Sequence, residues 1–158
     1  MGHADGICHI YVDKDYDMAK AIPIVIDAKT QYTAACNAAE TLLVHRDIAK
    51  DFLPVLEKAA GEKHIRLRGT KEAGEIIPLD IIEDNDFRHE YLDLVLAVKI
   101  VSTVEEAIDH INRYGSHHTD AIITENINTA ARFMQLVDSA GVYQNASTRF
   151  CLLYTSPS

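Results

Sequence analysis

Leu92-Asp93-Leu94-Val95-Leu96-Ala97-Val98-Lys99-Ile100-Val101, followed at once by Ser102-Thr103-Val104-Glu105, is the stretch that decides the fold. The first ten residues are too apolar for a half-exposed edge strand, so they read as a central strand covered on both faces. The next four have the spacing of a capping box, in which a hydroxyl and a carboxylate satisfy the first free amides of a helix. They open a helix to Tyr114, and Gly115 is expected to close it in the left-handed conformation. A buried strand running directly into a helix is one step of a parallel α/β sheet.

The same alternation extends outward in both directions. Downstream, Asp120 to Thr124 reads as a strand, Asn128 to Val137 as a helix and Gly141 to Gln144 as a last strand. Upstream, His9 to Val12 is a strand with His9 and Tyr11 on one face and Ile10 and Val12 on the other. Asp15 or Asp17 caps a helix to about Lys29, with Ala19, Ile22 and Ile26 on its apolar face and Pro23 as a kink or true start. Gln31 to Ala34 reads as a loop, Cys36 to Glu40 as a short helical turn and Thr41 to His45 as a strand. Asp47 to Ala60 is a helix with Pro54 in an early turn and Gly61 at its end. His64 to Leu67 is a further strand, and Thr70 to Asp86 a small helix with irregular chain. No repeat or low-complexity linker interrupts the 158 residues, which suffice for one domain with its own core.

Charge narrows the function. The formal net charge is −9, a field that repels nucleic acid and anionic membrane, so neither is an expected partner. An anionic substrate needs a local basic or amide-lined site against that background. No apolar run approaches the roughly 20 residues of a membrane span, and Met1 to Gly6 lacks the features of a signal peptide, so a cytoplasmic protein is expected. Cys8, Cys36 and Cys151 are odd in number and lack CxxC spacing, which excludes a disulfide framework or zinc ribbon. His117 and His118 are adjacent and do not share a face, so no metal site is expected. Neither GxGxxG nor GxxxxGK[ST] occurs; most of any dinucleotide site must lie elsewhere.

Cys36 is the residue with chemical promise. It stands between a polar loop and Asn37-Ala38-Ala39-Glu40, read as a helical turn. A helix start presents free amides and partial positive charge, which favour thiolate over thiol and can hold an oxyanion. From position alone a small buried cysteine used for packing fits as well, and Cys8, in an apolar strand, is read that way.

Several motifs resemble one family. Gly6-Ile7-Cys8-His9-Ile10-Tyr11-Val12-Asp13, Ala28-Lys29-Thr30-Gln31, Cys36-Asn37-Ala38 and Glu40-Thr41-Leu42-Leu43-Val44-His45 resemble, in order, the active-site half of gamma-glutamyl phosphate reductases. His118-Thr119-Asp120-Ala121-Ile122, Val137-Asp138-Ser139-Ala140 and Asn145-Ala146-Ser147-Thr148-Arg149-Phe150 continue the match. The start, Gly2 to Gly6, also resembles the reductase half of bifunctional pyrroline-5-carboxylate synthases. The resemblance implies an aldehyde dehydrogenase-like catalytic domain over 1–150, present as a fragment, with a largely parallel sheet flanked by helices. It implies NADPH-dependent reduction of gamma-glutamyl 5-phosphate to glutamate 5-semialdehyde in proline biosynthesis, downstream of a glutamate 5-kinase activity, by a homo-oligomer when full length. Cys36 is then the nucleophile and Glu90 a ligand of the nicotinamide ribose, unless Glu90 is only a solvated carboxylate. Asn37, Asn145, Ser147, Thr148 and Arg149 are the implied substrate contacts, Arg149 pairing with a carboxylate unless it serves a structural salt bridge. His118 and Asp120 are read as structural. Another cysteine-dependent enzyme of the same superfamily, or an inactive domain of the same fold, remains an alternative.

Three departures stand out. The family's amino-terminal portion, with most of the cofactor domain, has no counterpart here. Thr33 stands where the family often has proline. Beyond Phe150 the sequence reads Cys151-Leu152-Leu153-Tyr154-Thr155-Ser156-Pro157-Ser158, and Leu152 to Ser156 is the translation of the adapter stretch CTCTTATACACATCT. Residues 151–158 are therefore expected to be a non-native tail.

Overall fold

A computed structural model of the chain describes residues 7–30, 39–88 and 93–146. Seven strands form one sheet: β1 Cys8–Val12, β2 Ala39–His45, β3 Arg66–Gly69, β4 Asp80–Ile81, β5 Val95–Val101, β6 Thr119–Ile123 and β7 Gly141–Gln144. Their order is β4-β3-β5-β2-β1-β6-β7, and every pairing is parallel. β5 lies inside the sheet with all but Lys99 buried, as its unbroken apolar run requires. Among the described residues the α-helices are α1 Met18–Thr30, α2 Arg46–Glu62, α3 Lys71–Gly74, α4 Val104–Tyr114 and α5 Ile127–Leu136.

Alternate side chains of the central strands feed two cores. Ile10, Val12, Leu42, Val44, Val98 and Ile123 pack with Val25, Phe52 and Leu56 of α1 and α2. Tyr11, Leu43, Val101 and Ile122 pack on the other face with Ile108, Ile111 and Phe133 of α4 and α5. Full burial of each such side chain contributes about 1.5–3 kcal/mol, so covering both faces supplies most of the driving force for this architecture.

Several local readings are corrected. The capping box is shifted by one residue: Thr103 Oγ1 accepts from the Glu106 amide at 3.1 Å, and Glu106 Oε1 from the Ser102 amide at 2.7 Å. Gly115 is extended, at φ −74°, and the left-handed residue is His117, at φ 65°. α2 runs through Gly61 to Glu62, and His64, at φ 59°, makes the reversal instead. Pro23 and Pro54 both lie inside helices on exposed positions, where water can satisfy the carbonyl that loses its partner. Asp17 Oδ1 caps α1 through the Ala19 amide at 2.9 Å. Its fully buried residues are Ala21, Val25, Ala28 and Lys29; Ile22 and Ile26 are partly buried against the same core, and Ala19 is exposed. Ala39 and Glu40, expected in a helical turn, open β2 instead.

Candidate active site

The amino ends of the three central strands converge. Cys8 of β1 lies opposite Ala39 of β2, and Thr41 of β2 opposite Ala97 of β5. Segment 31–38, which contains Cys36 and Asn37, joins the end of α1 to the first residue of β2 at this edge. Segment 89–92, with Glu90, joins the 3-10 turn Asp84–Arg88 to the approach of β5 at the same edge. Cys36, Asn37, Glu90, Ser147, Thr148 and Arg149 lie outside the described residues, as do positions 151–158. The chain ends that hold the two segments are thus brought together at the middle of the sheet.

A buried ion pair stands between them. Lys29 Nζ donates to the Ala39 carbonyl at 2.9 Å and lies 3.5 Å from Glu40 Oε1. Neither side chain has any solvent exposure. Burial pushes the Lys29 ammonium below its usual range, and the Glu40 carboxylate, with smaller contributions from Asp93 and Cys8, pulls it back toward protonation. The sequence reading quoted Lys29 and Glu40 inside its motifs but gave neither a role. The available signal was opposite charges on an apolar helix face and in an apolar strand, since charges so placed are seldom buried unless paired.

Asn145 is the one predicted site residue that is described. It follows β7 at the carboxyl end of the sheet, with a left-handed backbone at φ 53°. Its Oδ1 accepts from the Thr124 amide at 3.0 Å, and its Nδ2 donates to Glu125 Oε2 at 2.9 Å. Its side chain therefore locks the ends of β6 and β7, at the end of the sheet opposite the edge where segments 31–38 and 89–92 attach. Nearby, Asp13 accepts from the Tyr11 hydroxyl at 2.8 Å and from Thr124 Oγ1 at 2.9 Å. Asp120 accepts from the His9 amide of β1 at 2.8 Å and from the Ser139 hydroxyl, so it ties distant parts of the chain together, whereas His118 Nδ1 makes a local contact, 2.7 Å from Thr119 Oγ1.

Two cavities differ in electrostatic character. In a parallel sheet, ligands commonly enter at the carboxyl ends of the strands. Here that crevice, about 330 Å³, is lined by Asp13, Asp47 and Glu105 against Lys14 and His45, and it disfavours an anion. At the amino edge a cavity of about 370 Å³ is lined by Arg88, Arg113, Ser116 and His117. Both guanidinium groups stand near the Tyr114 ring, 4.8 Å and 5.5 Å from its centroid. Positive charge thus lies at the edge where segments 31–38 and 89–92 attach. A dinucleotide does not fit the described residues: the turn after β1, where such a cofactor's pyrophosphate would approach a helix start, carries Asp13, Asp15 and Asp17. Among the described residues no group of His, Cys, Asp and Glu could hold a metal ion, and no helix is long and apolar enough to cross a membrane.

A fully parallel sheet with helices on both faces defines the class: the chain has the aldehyde dehydrogenase fold. An acetylating aldehyde dehydrogenase from Geobacillus thermoglucosidasius superposes with a TM-score of 0.72 at 22% identity over 94% of this chain and 42% of its own. By sequence the chain is similar to gamma-glutamyl phosphate reductases. It is 58% identical over 150 residues to gamma-glutamyl phosphate reductase 1 of Synechocystis sp., covering 95% of this chain and 35% of the relative. It is 57% identical, with the same coverage, to the gamma-glutamyl phosphate reductase of Acetivibrio thermocellus. The crystal structure of gamma-glutamyl phosphate reductase from Thermotoga maritima matches with a TM-score of 0.89 and 46% identity over 94% of this chain and 36% of that one. The chain therefore spans about a third of the length of the curated relatives it matches. No family model matches.

Proposed function

We propose that this chain is the catalytic portion of a gamma-glutamyl phosphate reductase, with Cys36 as its nucleophile. The observation that carries the reading is the convergence, at the amino edge of β1, β2 and β5, of the chain ends that hold the Cys36 and Glu90 segments. A thiolate at this edge attacks the acyl carbon of gamma-glutamyl phosphate; the S–C bond forms, the C–O bond to phosphate breaks, and phosphate leaves. Backbone amides beside Cys36 and the Asn37 side chain hold the oxyanion. Residues outside this chain, with Glu90 toward the ribose, would hold NADPH, whose chemistry would be to supply hydride to the thioester. Ser147, Thr148 and Arg149 receive the amino-acid end of the substrate, and Arg149 meets its carboxylate as a two-pronged donor.

The acyl phosphate is short-lived, so the substrate is supplied by a kinase acting on the side-chain carboxylate of glutamate. The full-length protein is a cytoplasmic homo-oligomer in this reading. Its test is Cys36→Ser in a full-length protein carrying this segment. Loss of NADPH oxidation by more than about 1,000-fold with an unchanged circular dichroism spectrum is expected, as removal of a nucleophile from a preorganised site requires. Turnover near that of the parent would reject Cys36.

A further inference from the structure

The ladder between β1 and β2 slips where β2 begins. Cys8 pairs with Ala39, but His9 pairs with Thr41, so Glu40 is an extra residue on β2. A bulge re-aims the chain locally and leaves the preceding segment without a register set by the ladder alone. Glu40 is also the residue that meets Lys29, and Ala39 is the one whose carbonyl Lys29 holds. The first described residues after segment 31–38 are therefore tied, through a bulge, to a side chain on the last turn of α1, immediately before that segment.

Stability does not call for charge here. A buried ion pair is often no better for stability than well-packed apolar residues of the same volume, and its best-attested use is to specify one arrangement among several. Lys29 lies among Ala21, Val25 and Ala28 on the buried face of α1, where an apolar residue would suit the core.

We propose that Lys29 is a positioning residue. By holding Ala39 and Glu40 at the bulge, it fixes both attachment points of the segment that carries Cys36 and so sets where the thiolate meets the acyl carbon. This rests on the role of Cys36 proposed above. Burial lowers the proton affinity of Lys29 and Glu40 restores it, so the pair is held as one unit.

The test uses a full-length protein carrying this segment. The double variant Lys29→Met/Glu40→Leu removes both charges together and leaves no uncompensated ion in the core. Folding is verified by circular dichroism. kcat and KM are then measured, together with the pH profile of Cys36 alkylation by iodoacetamide, read by peptide mass spectrometry. The expected result is a folded protein with kcat reduced about 10–100-fold, the cost of a displacement near 1 Å, and KM changed less than about threefold. Alkylation of Cys36 moves toward the profile of a free thiol. Should that variant not fold, Lys29→Gln/Glu40→Gln, whose amides can satisfy each other, is read for the same result. A folded double variant with the parent's kcat and alkylation profile, alongside an inactive Cys36→Ser, overturns the role of Lys29 alone. A Cys36→Ser variant that still turns over overturns the reading of Cys36 and the Lys29 proposal with it.

Discussion

His110 sits in the core of the sheet's second face, and among the described residues neither ring nitrogen has a hydrogen-bond partner. It packs edge-on against Phe87 and His9, with centroids 5.1 Å and 5.3 Å away, and tilted against Tyr114 at 4.6 Å. Burial, reinforced by the positive charge available to His9, Lys99 and Arg113, lowers its pKa from 6.5 to about 2. The folded protein therefore keeps His110 neutral, while the unfolded chain takes up a proton as pH falls through 6.5. The unfolded state binds more protons below that value, so stability drops as pH falls from about 6.5 toward 2. At pH 4.5 the loss relative to pH 7.5 is about 3 kcal/mol, from roughly 1.4 kcal/mol per pH unit below the unfolded value. His110→Leu removes this proton and keeps an apolar side chain of similar size. Urea unfolding of both proteins at pH 7.5 and 4.5, followed by circular dichroism, measures the difference. His110→Leu should lose about 3 kcal/mol less than the parent over that interval. Equal losses in the two proteins would mean that His110 is charged or solvated in the folded state, and the reasoning would fail.

Other consequences follow from single contacts. Thr103→Ala removes the hydroxyl that accepts from the Glu106 amide and should cost about 1 kcal/mol, seen as a lower Tm. Gly69→Ala would place a methyl 2.6 Å from the Val98 carbonyl oxygen, between β3 and β5, and should destabilise by about 1–3 kcal/mol in urea titration. Phe133 is fully buried and stacks on Tyr11 with centroids 6.2 Å apart, so Phe133→Ala should cost about 3–5 kcal/mol by the same assay.

The parallel sheet was readable because its strands are buried on both faces and its helices carry the helical period. Leu92 to Val101 announced an interior strand, and β5 proved to be one, flanked by β3 and β2. His9 to Val12 announced two buried faces, and its side chains divide between the two cores. Element ends were less legible. The chain reversals after α2 and α4 fall on His64 and His117, not on the glycines, because backbone hydrogen bonds such as Ile65 N–H to the Ala60 carbonyl select the reversing residue. Glu40 looked helical beside Asn37 and the alanines, and only pairing with β1 and β5 makes that stretch a strand. The Lys29–Glu40 pair was invisible for the same reason: it depends on α1 folding back against the start of β2. Of the candidate site, Asn145 is visible as a lock on β6 and β7, a role its sequence position did not suggest.

In the proposed reaction Cys36 carries the glutamyl group. A full-length protein containing this segment, mixed with gamma-glutamyl phosphate generated in place by a kinase and ATP but without NADPH, should accumulate the thioester. Rapid acid quench and peptide mass spectrometry then read the result. One glutamyl group on the peptide that contains Cys36, discharged when NADPH is added, is the predicted outcome. An unmodified Cys36 under conditions where the same enzyme turns over with NADPH would contradict it.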